Sequence, residues 1–386
     1  MSNRQRKPAA PPSRRPTMTD VAQAAGVSQS SVSMVLNNVV GARLSADTRA
    51  RVLGSAITLG YRLPRREAVP FEELARAAAA PASGPGPGPD KVPPTEPRRN
   101  VIGYLVDEIS TSPHPVVSVD GARDAAWEQG CLLQVAVTRN NPEQEAAAIA
   151  ALLAHPGLLG IIYSTIFTRR VSLPVSLAQR GKQPLPLVPV VLLNCHDADK
   201  HHPAVVPAEV SGGHTATEHL IHQGHRRIGF INGEPWMEAA QDRLKGYRRA
   251  LATADLPFDP TLVRDGDWMS GSGFECTLQL MGQPQPPTAI FCANDLMALG
   301  ALEALKQLNL RVPQDVSVMG YDDQEISRHT HPPLSTVVLP NYEMGQTAVE
   351  LLLALAQDAQ PVNTRRALMK VEGPLVQRAS VCALAL

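Results

Sequence analysis

The sequence contains no CxxC pair, no apolar run approaching the ~20 residues needed to cross a bilayer, and no GxGxxG behind its first strand-like segment. Each absence removes a class of protein. The five cysteines (Cys131, Cys195, Cys276, Cys292 and Cys382) are scattered, so neither a disulfide framework nor a zinc finger is expected, and a reducing cytosol suits them. No apolar stretch of about 7–15 residues follows the basic N-terminus, which argues against a secretory signal and for a cytoplasmic protein with no membrane partner. VIGYLVDEIS lacks the glycines of a dinucleotide site, and no GxSxG elbow follows a strand-like run. GPGPGP at 84–89 follows no strand, so it is not a phosphate loop. His219, His222 and His225 have metal-like spacing and His196, His201 and His202 cluster nearby, but no carboxylate or cysteine spacing completes a ligand set. An enzyme, a metal and a cofactor are therefore not expected.

What is present is unevenly placed. The 36 basic and 36 acidic residues balance overall, yet residues 1–66 hold eleven Lys or Arg against two acids, Asp20 and Asp47. That segment is near +9 and the remainder near −9. A basic end on an acidic chain points to a polyanion partner for that end alone, with a solvated charge run as the plain alternative. Residues 1–16 are Pro- and Arg-rich and read as a disordered basic arm. A helical pattern covers 17–62. Residues 63–98 read as a hinge and linker, with seven Pro and three Gly within 81–97 that could span ~50 Å as an extended chain at about 3.1 Å per residue.

From Asn100 the texture changes. VIGYLV (101–106), LLQVAV (132–137), GIIYS (160–164), PVVLLN (189–194), RIGFIN (227–232), TAIFCA (288–293) and VSVMGY (316–321) are each too short for a helix. Helix-period stretches such as 116–130 and 212–223 lie between them. Alternating strands and helices predict parallel α/β sheet covered on both faces, and the length of 99–386 predicts two lobes. The first lobe is expected over 99–206 and 341–358, the second over 207–340 and 359–386.

The segment 17–62 carries helix-turn-helix punctuation. Thr17 or Thr19 can cap a first helix, Gly26 supplies a tight turn, and Ser28 caps a second helix over Gln29 to Asn37. Ser45 caps a third over 46–59, which Gly60 ends. A generic three-helix bundle is the plain alternative. As a DNA reader, the module would lay its second helix in the major groove.

TMTDVAQAAGVSQSSVSMVLNN, with LSADTRARV and LGYR behind it, resembles the headpiece of the LacI/GalR (lactose/galactose repressor) family. Five further blocks continue the resemblance in family order: GHRRIGFING (224–233), RLKGYRRAL (243–251), PTAIFCANDLMALGALEAL (287–305), VPQDVSVMGYDD (312–323) and PPLSTV (332–337). The resemblance implies an all-α helix-turn-helix headpiece joined to an α/β periplasmic-binding-protein-like sensor of two parallel-sheet lobes. It implies a DNA-binding transcriptional repressor whose operator affinity is set by a sugar or nucleoside-like effector. Its partners would be double-stranded operator DNA, the effector, and further copies of the chain as a homodimer or tetramer; DNA binding would place it at the nucleoid. A transport protein would share the sensor fold but needs a signal peptide and no headpiece.

By the same resemblance Gln29 and Ser30 face base edges, while Thr17, Ser28, Ser31, Ser45 and Thr48 hold phosphates; Thr19 and Asn37 join the DNA-facing set. Met34 departs from the pattern, which usually has an arginine able to pair with guanine; methionine can only touch a thymine methyl. Leu63-Pro64 breaks the chain where the family has a hinge helix, so 70–80 (PFEELARAAAA), with Leu74 as wedge, is the substitute, or merely a spacer.

In the sensor, ligands are expected beyond the carboxyl ends of the strands. Asn294 and Asp295 follow 288–293, Asp322 and Asp323 follow 316–321, Arg243 precedes a helix after 227–232, and Trp268 sits in the loop DGDW. A carboxylate, a guanidinium, an amide and an indole face suit a polyol or nucleoside-like ligand. The resemblance carries effector contacts to Arg243, Trp268, Asn294 and Asp322, and adds His114 in a first-lobe loop and Asn194 after a first-lobe strand. Asp295 and Asp323 read as helix caps, and a bare Arg243–Asp322 pair is the competing reading for those two.

Overall fold

The computed structural model describes residues 46–59, 100–174, 176–177, 188–198, 201–357 and 368–384, together with Val21, Ala24, Ala25, Val27 and Val32. The chain divides into two units, Met1–Pro93 and Pro94–Leu386.

In the first unit Val21, Ala24, Ala25 and Val32 are helical, and helix α1 spans Ala46–Leu59. Val21, Ala25, Val32, Val52, Leu53 and Ala56 are buried. Val52, Leu53 and Ala56 lie on one face of a 3.6-residue period, as a short core-facing helix requires. The caps and turn expected at Thr17, Thr19, Gly26, Ser28 and Ser45 lie outside the described residues, as do the linker and the candidate hinge helix with Leu74.

The second unit has twelve strands in its described residues, numbered along the chain: β1 (Val101–Val106), β2 (Leu132–Val137), β3 (Leu158–Val171), β4 (Val190–Asp197), β5 (Ala204–Pro207), β6 (Ile228–Asn232), β7 (Val263–Asp265), β8 (Ala289–Cys292), β9 (Ser317–Met319), β10 (Thr336–Val337), β11 (Leu368–Val371) and β12 (Leu375–Val376). Each of the seven apolar runs read from the sequence overlaps one of them. A six-stranded parallel sheet, ordered β11-β5-β4-β3-β1-β2, forms the first lobe, and a four-stranded parallel sheet, β7-β6-β8-β9, forms the second. An antiparallel pair, β10-β12, accompanies the latter.

Helices α2 (His114–Glu128), α3 (Pro142–Leu153) and α8 (Asn341–Gln357) cover the first sheet; α4 (Glu209–His222), α5 (Glu238–Thr253), α6 (Ser270–Met281) and α7 (Asp295–Gln307) cover the second. The period-2 rule is visible in β1. Ile102, Tyr104 and Val106 join the core under α2 and α8, while Leu105 joins the core under α3. Burial on both faces is why these strands read as continuous apolar runs.

Three helix pairs approach through reciprocal glycines. A Cβ on Gly121 would lie 2.0 Å from Tyr342 O, and one on Gly345 2.0 Å from Ser118 O. Gly273 and Gly300 bring α6 onto α7 in the same way, and Gly213 and Gly246 bring α4 onto α5.

The chain crosses between lobes three times, and the crossings bond to one another. Ala208 N donates to Val371 O, and Val338 N donates to Pro374 O. One expectation is corrected here. The sequence reading gives all of 359–386 to the second lobe, but Leu368–Val371 pairs with β5 as the edge of the first sheet. Leu368 and Met369 are exposed there, so this strand carries no burial pattern by which sequence could place it.

Candidate functional site

Both sheets point their carboxyl ends at one cavity of about 170 Å³. All six sensor candidates line it: His114 and Asn194 from the first lobe, Arg243, Trp268, Asn294 and Asp322 from the second.

Arg243 is the centre. Its Nε donates to Glu209 Oε2 at 2.7 Å and its Nη2 to Glu209 Oε1 at 2.9 Å, a two-pronged charge-assisted pair. Its Nη1 donates to the Ala293 carbonyl and lies 3.4 Å from Asp322 Oδ1. The guanidinium carbon stands 3.7 Å from the centre of the Tyr321 ring and 5.6 Å from that of Trp268. Burial opposes the charge on Arg243, but the Glu209 and Asp322 carboxylates outweigh it and hold the group above its ordinary pKa. Burial, with the Glu209 charge next to it, likewise pushes the Tyr321 phenol well up, so Tyr321 stays neutral.

Two expectations change. Arg243 does not precede its helix; α5 opens at Glu238, where Met237 supplies no side-chain cap that sequence could have signalled. The Arg243–Asp322 contact exists, but the principal partner is Glu209, which the sequence reading missed. The available signal was an acid opening a Gly-Gly helix directly after the AVVP strand, a position that faces the carboxyl end of the sheet.

Asp322 is held loosely by comparison. Its contacts are Gln324 Nε2 at 3.3 Å, Arg243 Nη1 at 3.4 Å and His114 Nε2 at 3.5 Å. His114 is the first residue of α2 rather than a loop residue. Asn341 Nδ2 lies 3.2 Å from His114 Nδ1, which turns His114 Nε2 toward Asp322 across the lobes. A second contact between lobes lies beside the cleft, His196 Nε2 to Glu238 Oε2 at 2.9 Å.

Trp268 adopts φ +69°, its indole N–H donates to Met237 Sδ, and Gly233 leaves room for its ring. Asn194 (φ +57°) and Asp322 (φ +108°) also hold left-handed backbone. Strain of this kind costs of order 1–3 kcal/mol per residue and gathers at functional sites. Asn294 caps α7 through Met297 N and donates to Trp268 O. Asn194 donates to Thr165 O and Ile166 O and accepts from Thr168 Oγ1. Both amides therefore shape the cleft's loops.

Asp295 and Asp323 are not the caps expected of them. Asp295 is buried, accepts from Thr336 Oγ1 and Gln324 N, and is pushed well up in pKa by that burial. Asp323 binds Arg378 and Arg328. Two of the histidines read as a possible metal cluster are bonded elsewhere. His225 bridges Thr288 and Ser317, and His202 pairs with Asp197. Among the described residues no group of three potential ligands could hold a metal. Of the ten DNA-facing candidates only Thr48, half-buried on α1, lies among the described residues; Thr17, Thr19, Ser28, Gln29, Ser30, Ser31, Met34, Asn37 and Ser45 lie outside them.

The model of bacterial regulatory proteins of the lacI family matches residues 17–63, and that of the periplasmic binding protein-like domain matches 217–381. The HTH-type transcriptional repressor PurR of Haemophilus influenzae (strain PittEE) is 32% identical over 343 residues, 87% of this chain and 90% of its own length. The chain belongs to the LacI family of bacterial regulatory proteins. Two solved family structures align over nearly its whole length. A lac repressor dimer bound to operator and the anti-inducer ONPF shares 27% identity, with TM-score 0.58 and coverage of 96% and 100%. The transcriptional regulator CelR in complex with cellobiose shares 28% identity, with TM-score 0.57 and coverage of 95% and 100%. This LacI-family protein is a helix-turn-helix transcriptional regulator, not an enzyme. Among its described residues no helix is long and apolar enough to cross a membrane.

Proposed function

We propose that this regulator is a repressor whose effector binds between the sensor lobes at His114, Asn194, Arg243, Trp268, Asn294 and Asp322. The carrying observation is that the two lobes meet over one cavity with a buried guanidinium, a loosely held carboxylate and an indole on its wall. That the related CelR structure holds cellobiose and the lac repressor structure holds operator with ONPF supports this reading. The effector is a sugar or nucleoside-like molecule in this view. The headpiece spans 17–62, the hinge and linker 63–98 and the sensor 99–386, with 1–16 as a basic arm. Gln29 and Ser30 read base edges, Met34 meets a thymine methyl, Thr17, Ser28, Ser31, Ser45 and Thr48 anchor phosphates, and Thr19 and Asn37 complete the interface.

The working unit is a homodimer, one headpiece per half-site of a near-palindromic operator in the cytoplasmic nucleoid. Val116, Val117 and Trp127 on α2 and Leu132 and Val135 on edge strand β2 are exposed, an apolar surface suited to a second copy. An effector needs a coupling of only about 1–3 kcal/mol to change operator occupancy. The test is operator selection with full-length protein, followed by operator titrations across a panel of sugars and nucleosides. A panel member that shifts affinity in the wild type but not in Asp322→Ala supports the reading. No sequence preference on duplex DNA at any salt refutes it.

A further inference from the structure

The first sheet has a cavity of its own. It holds about 160 Å³ outside the carboxyl ends of β1 and β3, with Asp107, Thr138, Asn140, Glu145, Tyr163 and Arg169 on its wall. It shares no lining residue with the cleft between the lobes. Ile166 N donates to Asp107 Oδ1 at 2.8 Å, and this bond stands between the two: Asp107 lines the cavity and Ile166 the cleft. Tyr163 Oη donates to Glu145 Oε1 at 2.6 Å, which puts the cavity on the α3 face of the sheet.

Its place follows from the topology. The chain runs from β1 outward to β2, then returns past β1 to β3, so the winding reverses between β1 and β3. Doubly wound sheets take ligands in the crevice at such a reversal. The turn leading into α3 is strained there, with Arg139 and Asn140 both in left-handed backbone at φ +52° and +53°. Among the described residues Leu105, Val106 and Pro142 are the only apolar ones on the wall, so an apolar occupant would leave polar groups unpaired. Among the described residues Arg169 bonds through Nη2 alone, to Asp107 Oδ2 at 3.0 Å and Asn140 Oδ1 at 3.3 Å, which leaves Nε and Nη1 as donors. Glu145 keeps Oε2 as an acceptor. A ligand anion would meet that carboxylate, and a ligand cation would meet the guanidinium. Hydroxyls donate to the one and accept from the other. A cavity of about 150 Å³ takes up one benzene ring, so there is room for one six-membered ring. We propose that this cavity is a second small-molecule site, for a neutral polyol of one ring such as a monosaccharide. The site stands whether or not the cleft holds the effector.

The test is calorimetry on the full chain with glucose, galactose and mannose, set against glucosamine and glucuronate. Asp322→Ala removes a cleft contact, so binding that survives it reports on the second site. At least one neutral sugar is expected to bind Asp322→Ala, and to bind at least about tenfold more weakly once Arg169→Ala or Glu145→Gln is added. Asn140→Ala changes an exposed turn residue and should weaken the same sugar, so a variant of the sheet that fails to fold does not decide the matter. If no neutral sugar binds Asp322→Ala, the cavity holds water alone and the proposal is overturned, with the cleft reading left in place. Binding that survives Asp322→Ala but ignores all three substitutions overturns it too. A charged sugar that binds as tightly as the neutral ones overturns the ligand class.

Discussion

Gly246→Ala tests whether the close crossing of α4 and α5 builds the site. A Cβ at Gly246 would stand 2.4 Å from Val210 O and 2.6 Å from His214 N, both backbone atoms of α4. No rotamer change can relieve backbone contacts, so the helices must part by about 1 Å to restore ordinary packing distances. Arg243 lies one turn before Gly246 on the same helix face, and Glu209 lies beside Val210, so the separation stretches the bonds of 2.7 and 2.9 Å. Overpacking alone costs about 1–3 kcal/mol, and complete loss of a buried pair about 3–5 kcal/mol. With the pair weakened rather than lost, the expected total is roughly 2–5 kcal/mol. At about 2–4 °C per kcal/mol for a large domain, the melting temperature of the sensor should fall by roughly 5–15 °C. A double-mutant cycle with Glu209→Gln separates packing from electrostatics; a coupling of about 0.5–3 kcal/mol is expected between the two positions. A Gly246→Ala protein melting with the wild type would refute the reasoning.

Three further outcomes are expected. Gly54→Ala in α1, where no described residue lies within 4 Å of the added Cβ, should stabilise the headpiece by about 0.5–1 kcal/mol in chemical denaturation, and a loss would show the site to be crowded. Burial lowers the pKa of His225 below its usual 6.5. The folded ring therefore stays neutral where the unfolded one takes up a proton, so its stabilising contribution is full above about pH 6.5 and is lost as pH falls below it. The sensor's melting temperature should drop between about pH 6.5 and 5, less steeply in His225→Gln, and identical slopes in the two proteins would contradict this. At the base step met by Met34, operator selection should return no guanine preference; one that appears and then vanishes in Met34→Ala would show methionine reading guanine after all.

The framework was legible because parallel strands buried on both faces leave unmistakable apolar runs, and the strand ends then direct attention to Asn294, Asp322 and Trp268. The partner of Arg243 was not legible. Glu209 and Arg243 are 34 residues apart and meet only because Gly213 and Gly246 let two helices touch, a long-range consequence with no local pattern. The roles of the two amides were hidden for a related reason. Asn194 and Asn294 are the residue types expected to face a ligand, yet backbone groups that sequence cannot position absorb most of their bonding. Edge strand β11 escaped notice because, being exposed, it lacks the apolar pattern that marks the strands beside it.

The distribution of bonds within the cleft says how occupancy could become movement. Glu209, Arg243, Ala293, Tyr321 and Asp322 all belong to the second lobe, and their mutual bonds make that wall preorganised before any ligand arrives. Among the described residues the first lobe's polar side chains reach it through His114 at 3.5 Å, beyond a good hydrogen bond, and through His196 to Glu238 at the side. A rigid wall facing a weakly tethered one leaves the lobe-to-lobe arrangement cheap to change. A molecule that bonds Asp322 and also touches Phe167 or Thr168 adds contacts that exist only when the lobes are together. Differential contact of that kind is the sole means by which binding energy can bias one arrangement over another. The three crossings at Ala208, Val338 and Pro374, hydrogen-bonded to one another, form the one covalent edge about which such a change would have to turn.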